Sequence, residues 1–371
     1  MSSLSEALVL GGYGNFGKRI AAGLARRGVG VTVAGRDRDK AENAARSLSA
    51  AHPSAEISAV RLDAPHELPA YLAERRPKVV IDTCGPFQGR DYEIARVCIA
   101  GGVHAIDLAD GRAYVVGIGA LDGAAKAAGV AVVSGASTVP GLSSAVIEAF
   151  RGEFAEIHEM RYGISPGQKA ERGLATTRAV LGYAGRALKP VRGNAQAHYG
   201  WQDVYRQTYP ELGARWMANC DIPDLDLFPD RYGLKRIRFS AGMELAVVHF
   251  GIVTLGWLVR LGVPLDLRDY APMLLDLSKR LDRFGSDAGG MHVELTGLGS
   301  NGEPRKRMWF IVAKNGDGPQ IPCVPAILLA QRLARDVGPG PGATPCVGLV
   351  SLEDYIEALQ PFAIETYTAP A

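Results

Sequence analysis

Gly12-Tyr13-Gly14-Asn15-Phe16-Gly17 spaces three glycines as G-x-G-x-x-G, a pattern that lets a chain hold a diphosphate. Gly12 permits a tight turn, Gly14 lets an anion approach the backbone where a Cβ would stand, and Gly17 allows a helix to pack close on a strand. At the head of that helix, unbonded N–H groups and the macrodipole favour negative charge. The context fits. Apolar Ala7-Leu8-Val9-Leu10 precedes the turn as a buried parallel strand, and Ile20, Ala21 and Leu24 follow at helical spacing. An ordinary glycine-rich turn is the reading that needs no ligand.

The next charged position selects the cofactor. A second strand, 31–34, ends at Gly35, where an NAD site places a carboxylate on the ribose 2′-OH. Arg36 follows, with Arg38 and Lys40 close behind. A carboxylate repels a 2′-phosphate, whereas a guanidinium binds it with paired hydrogen bonds. The expectation is NADP rather than NAD; Asp37 keeps NAD open if the loop turns inward. Asp63, after a third strand at 57–62, either accepts a bond from the adenine amino group or caps a helix beginning near Pro65. Cys84, Gly85, Pro86 and Phe87 leave a fourth strand at 79–82, where open α/β sheets bind ligands, and are placed around the nicotinamide.

A reduction also needs a proton donor. Asp107, Asp110 and Tyr114 follow the fifth strand, 103–107, and are the candidates; as plain structure they would be a helix cap, a loop hydrogen bond and a packing ring. Ser137 and Thr138 are expected to bond the carboxamide or the substrate. Arg172 and Arg178 would clamp a substrate carboxylate or simply solvate a helix face. His104, in an apolar strand, reads as a core histidine, and Cys84 has no neighbouring base to make it a nucleophile. No metal-ligand spacing is present.

These residues need a scaffold. Helices at 39–51, 92–100 and 121–128 and a sixth strand at 130–133 complete a β-α alternation, which predicts a doubly wound parallel sheet. The pattern changes at 134–141. Beyond it, strands at 157–164, 195–201 and 235–244, helices at 168–183, 245–261 and 270–284, and a hairpin through Asn301-Gly302 predict an α+β domain with a mixed or antiparallel sheet. Between 201 and 235 the sequence reads as a long loop. The expected division is a Rossmann domain at 1–136, a substrate and dimerisation domain at 137–320, and C-terminal helices at 321–371 packing back on the first domain.

With 47% hydrophobic and 22% charged residues and a net charge of +2 over 371 residues, the chain gives no electrostatic reason to bind nucleic acid or an anionic membrane. Cys84, Cys98, Cys220, Cys323 and Cys346 are scattered and odd in number, as in a reduced cytoplasmic protein. The N-terminus lacks a basic leader pattern. The apolar run 245–259 is too short for a comfortable membrane span and reads as a buried helix at a domain or subunit interface.

Four stretches together resemble the saccharopine dehydrogenase/reductase-like family of NAD(P)-binding oxidoreductases: Gly11–Gly17 with its glycines, Ala34-Gly35-Arg36, the Asp82-Thr83-Cys84-Gly85-Pro86-Phe87 turn, and Gly102-Val103-His104-Ala105-Ile106-Asp107-Leu108. Thr138-Val139-Pro140-Gly141-Leu142-Ser143 is similar to the family's Pro-Gly-Leu loop. The resemblance covers residues 5–150. It implies a Rossmann domain, a substrate domain whose sheet can form a homodimer, a cleft between them, and hydride transfer to or from a small polar imine or amino-acid-type substrate. The family also includes a lipid enoyl reductase, which the apolar 245–259 run keeps in view. A protein that senses NADP without turnover is the reading from another class.

Overall fold

The structure, a computed structural model, describes residues 6–191 and 197–370. Its strands are numbered in chain order. β1 (Glu6–Leu10), β2 (Gly30–Gly35), β3 (Ile57–Arg61), β4 (Val79–Asp82), β5 (His104–Asp107), β6 (Ala131–Ser134) and β13 (Gly342–Pro345) form one sheet in the order β13-β6-β5-β4-β1-β2-β3. All its pairings are parallel. The centre is dry because these strands are continuous apolar runs: Ala7, Leu8, Val9, Val79, Val80 and Ile81 are all buried. Each buried Val, Leu or Ile side chain contributes about 1.5–3 kcal/mol. The order reverses between β1 and β4, so the loops leaving those two strands diverge to opposite faces and open a crevice.

This sheet and its helices form one compact unit, residues 1–145 with 320–355. Helix Val324–Ala334 returns to pack on helix Asn15–Arg26, and Gly23 permits the approach: a Cβ there would lie 2.4 Å from Ile327 Cδ1. Where helices alone were expected after residue 320, the glycine-proline link runs into β13 on the sheet's edge, a four-residue strand with a proline that carries no periodic signal.

The other unit comprises residues 146–319 and 356–371. β7 (Glu156–Ser165), β8 (Tyr205–Tyr209), β9 (Gly213–Asn219), β10 (Arg236–Met243), β11 (Gly289–Leu298), β12 (Pro304–Ala313) and β14 (Ile364–Pro370) make a second sheet, ordered β14-β12-β11-β7-β10-β9-β8. It is mixed: β7 and β10 pair in parallel and the other pairs are antiparallel. The turn after β8 reaches the opposite edge, where Glu211 meets Lys314 at 2.5 Å and also Tyr367. The sheet therefore curls around Tyr209, Met217 and Phe310.

Several elements differ from expectation here. The stretch read as a loop holds the β8–β9 hairpin and helix Asp224–Tyr232; Pro223 and Pro229 and the acidic residues between them had disguised the helix. The helix expected at 168–183 starts only at Leu174, because Gln168 is drawn into bonds with Glu244, Ser278 and Asp282. Of the strand expected at 195–201, residues 195–196 lie outside the described residues, and Tyr199 and Gly200 make only isolated bridges. The last segment, expected as helix, adds β14 to this sheet.

Candidate functional site

The crevice at the β1–β4 switch point is a cleft of about 430 Å³, lined among others by Gly11, Tyr13, Gly35, Arg36, Asp63 and Cys84. Three strand ends build it. After β1 the chain turns through Gly11, whose φ of +72° makes it the left-handed residue of the turn. That task had been expected of Gly12, which instead must be small because a Cβ would stand 2.9 Å from Val9 O and 3.0 Å from Val33 Cγ1. Gly12 N–H donates to Ala34 O at 3.0 Å and ties the turn to β2. Gly17 carries the closest packing: a Cβ there would lie 2.2 Å from Gly11 O and 2.8 Å from Gly12 Cα. Gly14 is the N-cap of helix Asn15–Arg26, supplies no capping side chain, and the first turn contains no acidic residue. The first-turn amides therefore meet no competing carboxylate from the helix itself. Asn15 uses its side chain on Arg19, and Phe16 O accepts from the Cys323 thiol at 3.7 Å.

At the end of β2, Tyr13 lies against Gly35. Arg36 is exposed, faces the cleft, and makes no hydrogen bond or ion pair among the described residues. Asp37 does not turn inward. Its carboxylate accepts from Lys40 N–H at 3.1 Å, capping helix Arg38–Ala51, and pairs with Lys40 Nζ at 3.1 Å, which together hold its pKa below the ordinary carboxylate value. The ribose-directed alternative for Asp37 is thus spent on a cap. Asp63 shows the reverse. The helix after β3 is Leu68–Arg75 with Glu67 at its N-cap position, so the capping alternative for Asp63 fails, and its side chain is left on the cleft wall. Glu67 accepts from Asp63 N–H at 2.7 Å and holds the turn.

The loop after β4 closes the cleft. Thr83 Oγ1 donates to Leu10 O at 2.7 Å, tying it to β1. Asp82 Oδ1 accepts from Cys84 N–H at 2.8 Å, and Arg90 donates to Cys84 O at 2.7 Å while lying 3.5 Å from Asp82 Oδ2. Arg90 was not singled out from the sequence; six residues beyond Cys84, after a φ of +74° at Gly89, only the fold turns it back. Burial raises Asp82, partly offset by Arg90. Burial and then Asp82 push the Cys84 thiol up to about 12, although the residue's outer face is exposed, so the sulfur is a neutral wall and not a nucleophile. Gly85 and Pro86 line the cleft, but Phe87 is buried behind them, 5.5 Å from the Tyr114 ring with Arg90 stacked at 5.3 Å.

The proton-donor candidates lie at the ends of β5 and β6. Asp107 pairs in register with Asp82 across β5 and β4. It is buried, and its Oδ1 accepts from Ala109 N–H, Gly135 N–H and Ser134 Oγ, each at 2.9 Å. Burial outweighs those donors and pushes its pKa up to about 7, with Asp82 adding to the rise. Asp110 accepts from Gln88 Nε2 at 3.0 Å and is raised by burial. Tyr114 is packed between Phe87 and Tyr92, its carbonyl accepting from Tyr92 OH. Ser137 and Thr138 are half-buried where the chain leaves β6. In the other unit, Arg172 is bound to Asp282 at 2.6 Å and to Ser278 at 3.1 Å, and Arg178 is exposed on helix Leu174–Gly182. Among the described residues no cluster of His, Cys, Asp and Glu could hold a metal.

A parallel doubly wound sheet with a glycine turn at its switch point defines the dinucleotide-binding class of domain. Residues 7–133 match the family model of the saccharopine dehydrogenase NADP-binding domain. The whole fold is similar to apo saccharopine dehydrogenase (L-Glu forming) from Saccharomyces cerevisiae, with a TM-score of 0.66 and 14% identity over 98% of this chain and 100% of that one. A short-chain dehydrogenase from Sphingobium yanoikuyae in complex with NADPH aligns over 35% of this chain and 71% of its own, at 15% identity and a TM-score of 0.29. No curated protein has a matching sequence.

Proposed function

We propose that this protein is an NADPH-dependent oxidoreductase acting on a small polar imine or amino-acid-type substrate. Arg36 is the observation that carries the cofactor half: an unpaired guanidinium on the cleft, at the strand end where NAD sites hold an acid, with the nearby Asp37 carboxylate turned away. The cradle fits a dinucleotide. Gly11, Gly14 and Gly17 clear the turn, Asp63 stands free for an adenine amino group, and Cys84, Gly85 and Pro86 wall the nicotinamide end. Bound NADPH would supply the hydride. The chain's own residues hold and orient it, and Asp107 carries a proton near neutrality at the rear of the same strand ends. The substrate half is supported by the likeness of the whole fold to a saccharopine dehydrogenase. Titration with NADPH and NADH by fluorescence tests the cofactor. Tighter NADPH binding is expected; equal affinities would sink the phosphate argument. Nicotinamide absorbance followed over imines, aldehydes and enoyl thioesters tests turnover, and binding with no turnover across all three favours a sensor.

One observation favours a second acceptor class. Helix Ala246–Arg260 exposes Val247, Phe250, Trp257 and Leu258, an apolar face suited to an acyl chain or to a second copy in a homodimer. No helix among the described residues is long and apolar enough to cross a membrane. Turnover of an enoyl thioester in preference to imines would establish the lipid reading, and light scattering reads the dimer.

A further inference from the structure

The end of β2 holds a feature that neither the glycine pattern nor Arg36 explains. A Cβ on Gly35 would lie 2.2 Å from Tyr13 Cε1, 2.7 Å from Cζ and 2.9 Å from the hydroxyl oxygen. The Tyr13 ring therefore fills the space in which any side chain at position 35 would begin, including the acid of an NAD site. Its hydroxyl accepts from Asp37 N–H at 3.3 Å. That bond fixes the backbone on one side of Asp37, while Lys40 N–H and Nζ hold the carboxylate on the other. Gly12 N–H to Ala34 O and Leu62 N–H to Gly35 O, both 3.0 Å, leave the strand end itself no freedom to shift. Of the 35–37 segment, Gly35 and Arg36 line the cleft, and of these two only Arg36 brings a side chain to it.

We propose that Tyr13 is a positioning residue for cofactor choice. By lying on Gly35 it excludes an acid from the end of the second strand, and by holding the Asp37 amide it keeps the Asp37 carboxylate on its helix cap and Arg36 on the cleft. The partner recognised is a 2′-phosphorylated adenosine, so the proposal rests on the NADP reading above. The fold of the turn does not require the hydroxyl, because the glycines and their backbone bonds already close it.

Two variants test this by fluorescence titration with NADPH and NADH. In Tyr13→Phe the ring stays and the Asp37 amide loses its acceptor, so the NADPH-to-NADH affinity ratio should fall about fivefold, the size of one hydrogen bond. A merely structural role would weaken both cofactors alike and leave the ratio unmoved. In the pair Tyr13→Ala and Gly35→Asp, the double variant should bind NADH better than either single one, because the acid fits only once the ring is gone. An unchanged ratio in Tyr13→Phe, or strictly additive effects in the pair, overturns the proposal. Failure of the underlying reading looks different: wild type would then show no NADPH preference, and Arg36→Ala would change nothing.

Discussion

The two units arrange their buried titratable groups differently, although each buries a carboxylate, Asp224 in the second and Asp82 and Asp107 in the first. The parallel sheet draws carboxylates inward at its strand ends, with Asp82 and Asp107 side by side and Asp107 pushed up to about 7. The mixed sheet and its helices bury imidazoles. His292 is held at about 3, with Tyr209 OH 2.9 Å from its Nδ1, and His249 at about 4, its ring nitrogens buried without partners beside Trp201. The difference teaches where function concentrates. In a parallel sheet every carboxyl end points the same way, so polar side chains collect at one rim and shift one another. In a mixed sheet the ends alternate, so buried polar groups such as His292 and His249 stand apart within the core, the first bonded to Tyr209 and the second without a hydrogen-bond partner.

The comparison breaks most visibly at the glycines. Gly17→Val places atoms on backbone at 2.2 and 2.8 Å, which cannot move aside; loss of NADPH binding is expected together with roughly 3 kcal/mol or more of destabilisation. Gly297→Val is equally crowded, 2.0 Å from Glu156 O at a register shift between β11 and β7. It should lower the melting temperature while the folded fraction keeps its NADPH affinity. Calorimetry and titration on both variants read the contrast, and loss of binding in Gly297→Val would contradict the separation.

Next in size come the pH effects, which have opposite signs. Asp107 has a folded pKa above its ordinary value of 3.8, so between about 4 and 7 the folded state holds a proton the unfolded chain has lost. Stability from this group therefore falls as pH rises through that window and is flat above it, by at most about 4 kcal/mol at about 1.4 kcal/mol per pKa unit. His249 has a folded pKa below its ordinary 6.5, so the unfolded chain binds the extra proton and stability falls as pH drops from about 6.5 to about 4, by up to about 3 kcal/mol. Because the two windows overlap, the opposite slopes largely offset one another in the wild type, and urea melts across pH 4–8 should show stability rising with pH between about 4 and 6.5 in Asp107→Asn and falling with pH over the same range in His249→Leu. Parallel slopes in both variants would refute the contrast.

Two smaller effects stay within the nucleotide cleft. Arg36→Ala should weaken NADPH about 10- to 100-fold, as for a lost charged hydrogen bond, and leave NADH nearly unchanged. Arg90→Met removes the donor to Cys84 O and the neighbour that offsets burial of Asp82. Its expected cost is a few-fold in affinity for either cofactor, because the loop after β4 loses one tie and keeps those of Thr83 and Asp82. A larger loss than in Arg36→Ala would make Arg90 the principal anion contact.

Much of the first unit is legible in the residues alone. Leu8, Val9, Val80 and Ile81 can only be interior strand, Gly17 has no tolerance for a side chain, and a glycine followed by arginine replaces the acid of an NAD site. Such local chemistry needs no knowledge of what lies across the sheet. Less could be read where a side chain's role depends on a distant partner. Asp63 looked equally able to cap or to bind, and Asp37 able to reach the ribose if its loop turned inward; which backbone amide stood in reach decided both, Lys40 for Asp37 and none for Asp63. Arg172 looked free until Asp282, over a hundred positions on, was placed beside it.

The amino-acid order by itself therefore determined the parallel sheet, the glycine turn and the sign of charge at the second strand's end, because these follow from side-chain size, apolar runs and local spacing. Tertiary structure alone decided that Gly11 is the left-handed residue, that Tyr13 lies on Gly35, that Arg90 returns to Cys84, and that the last strands pair with two different sheets. Each of those depends on atoms brought together across long stretches of chain, and contact at such range leaves no periodicity in the sequence.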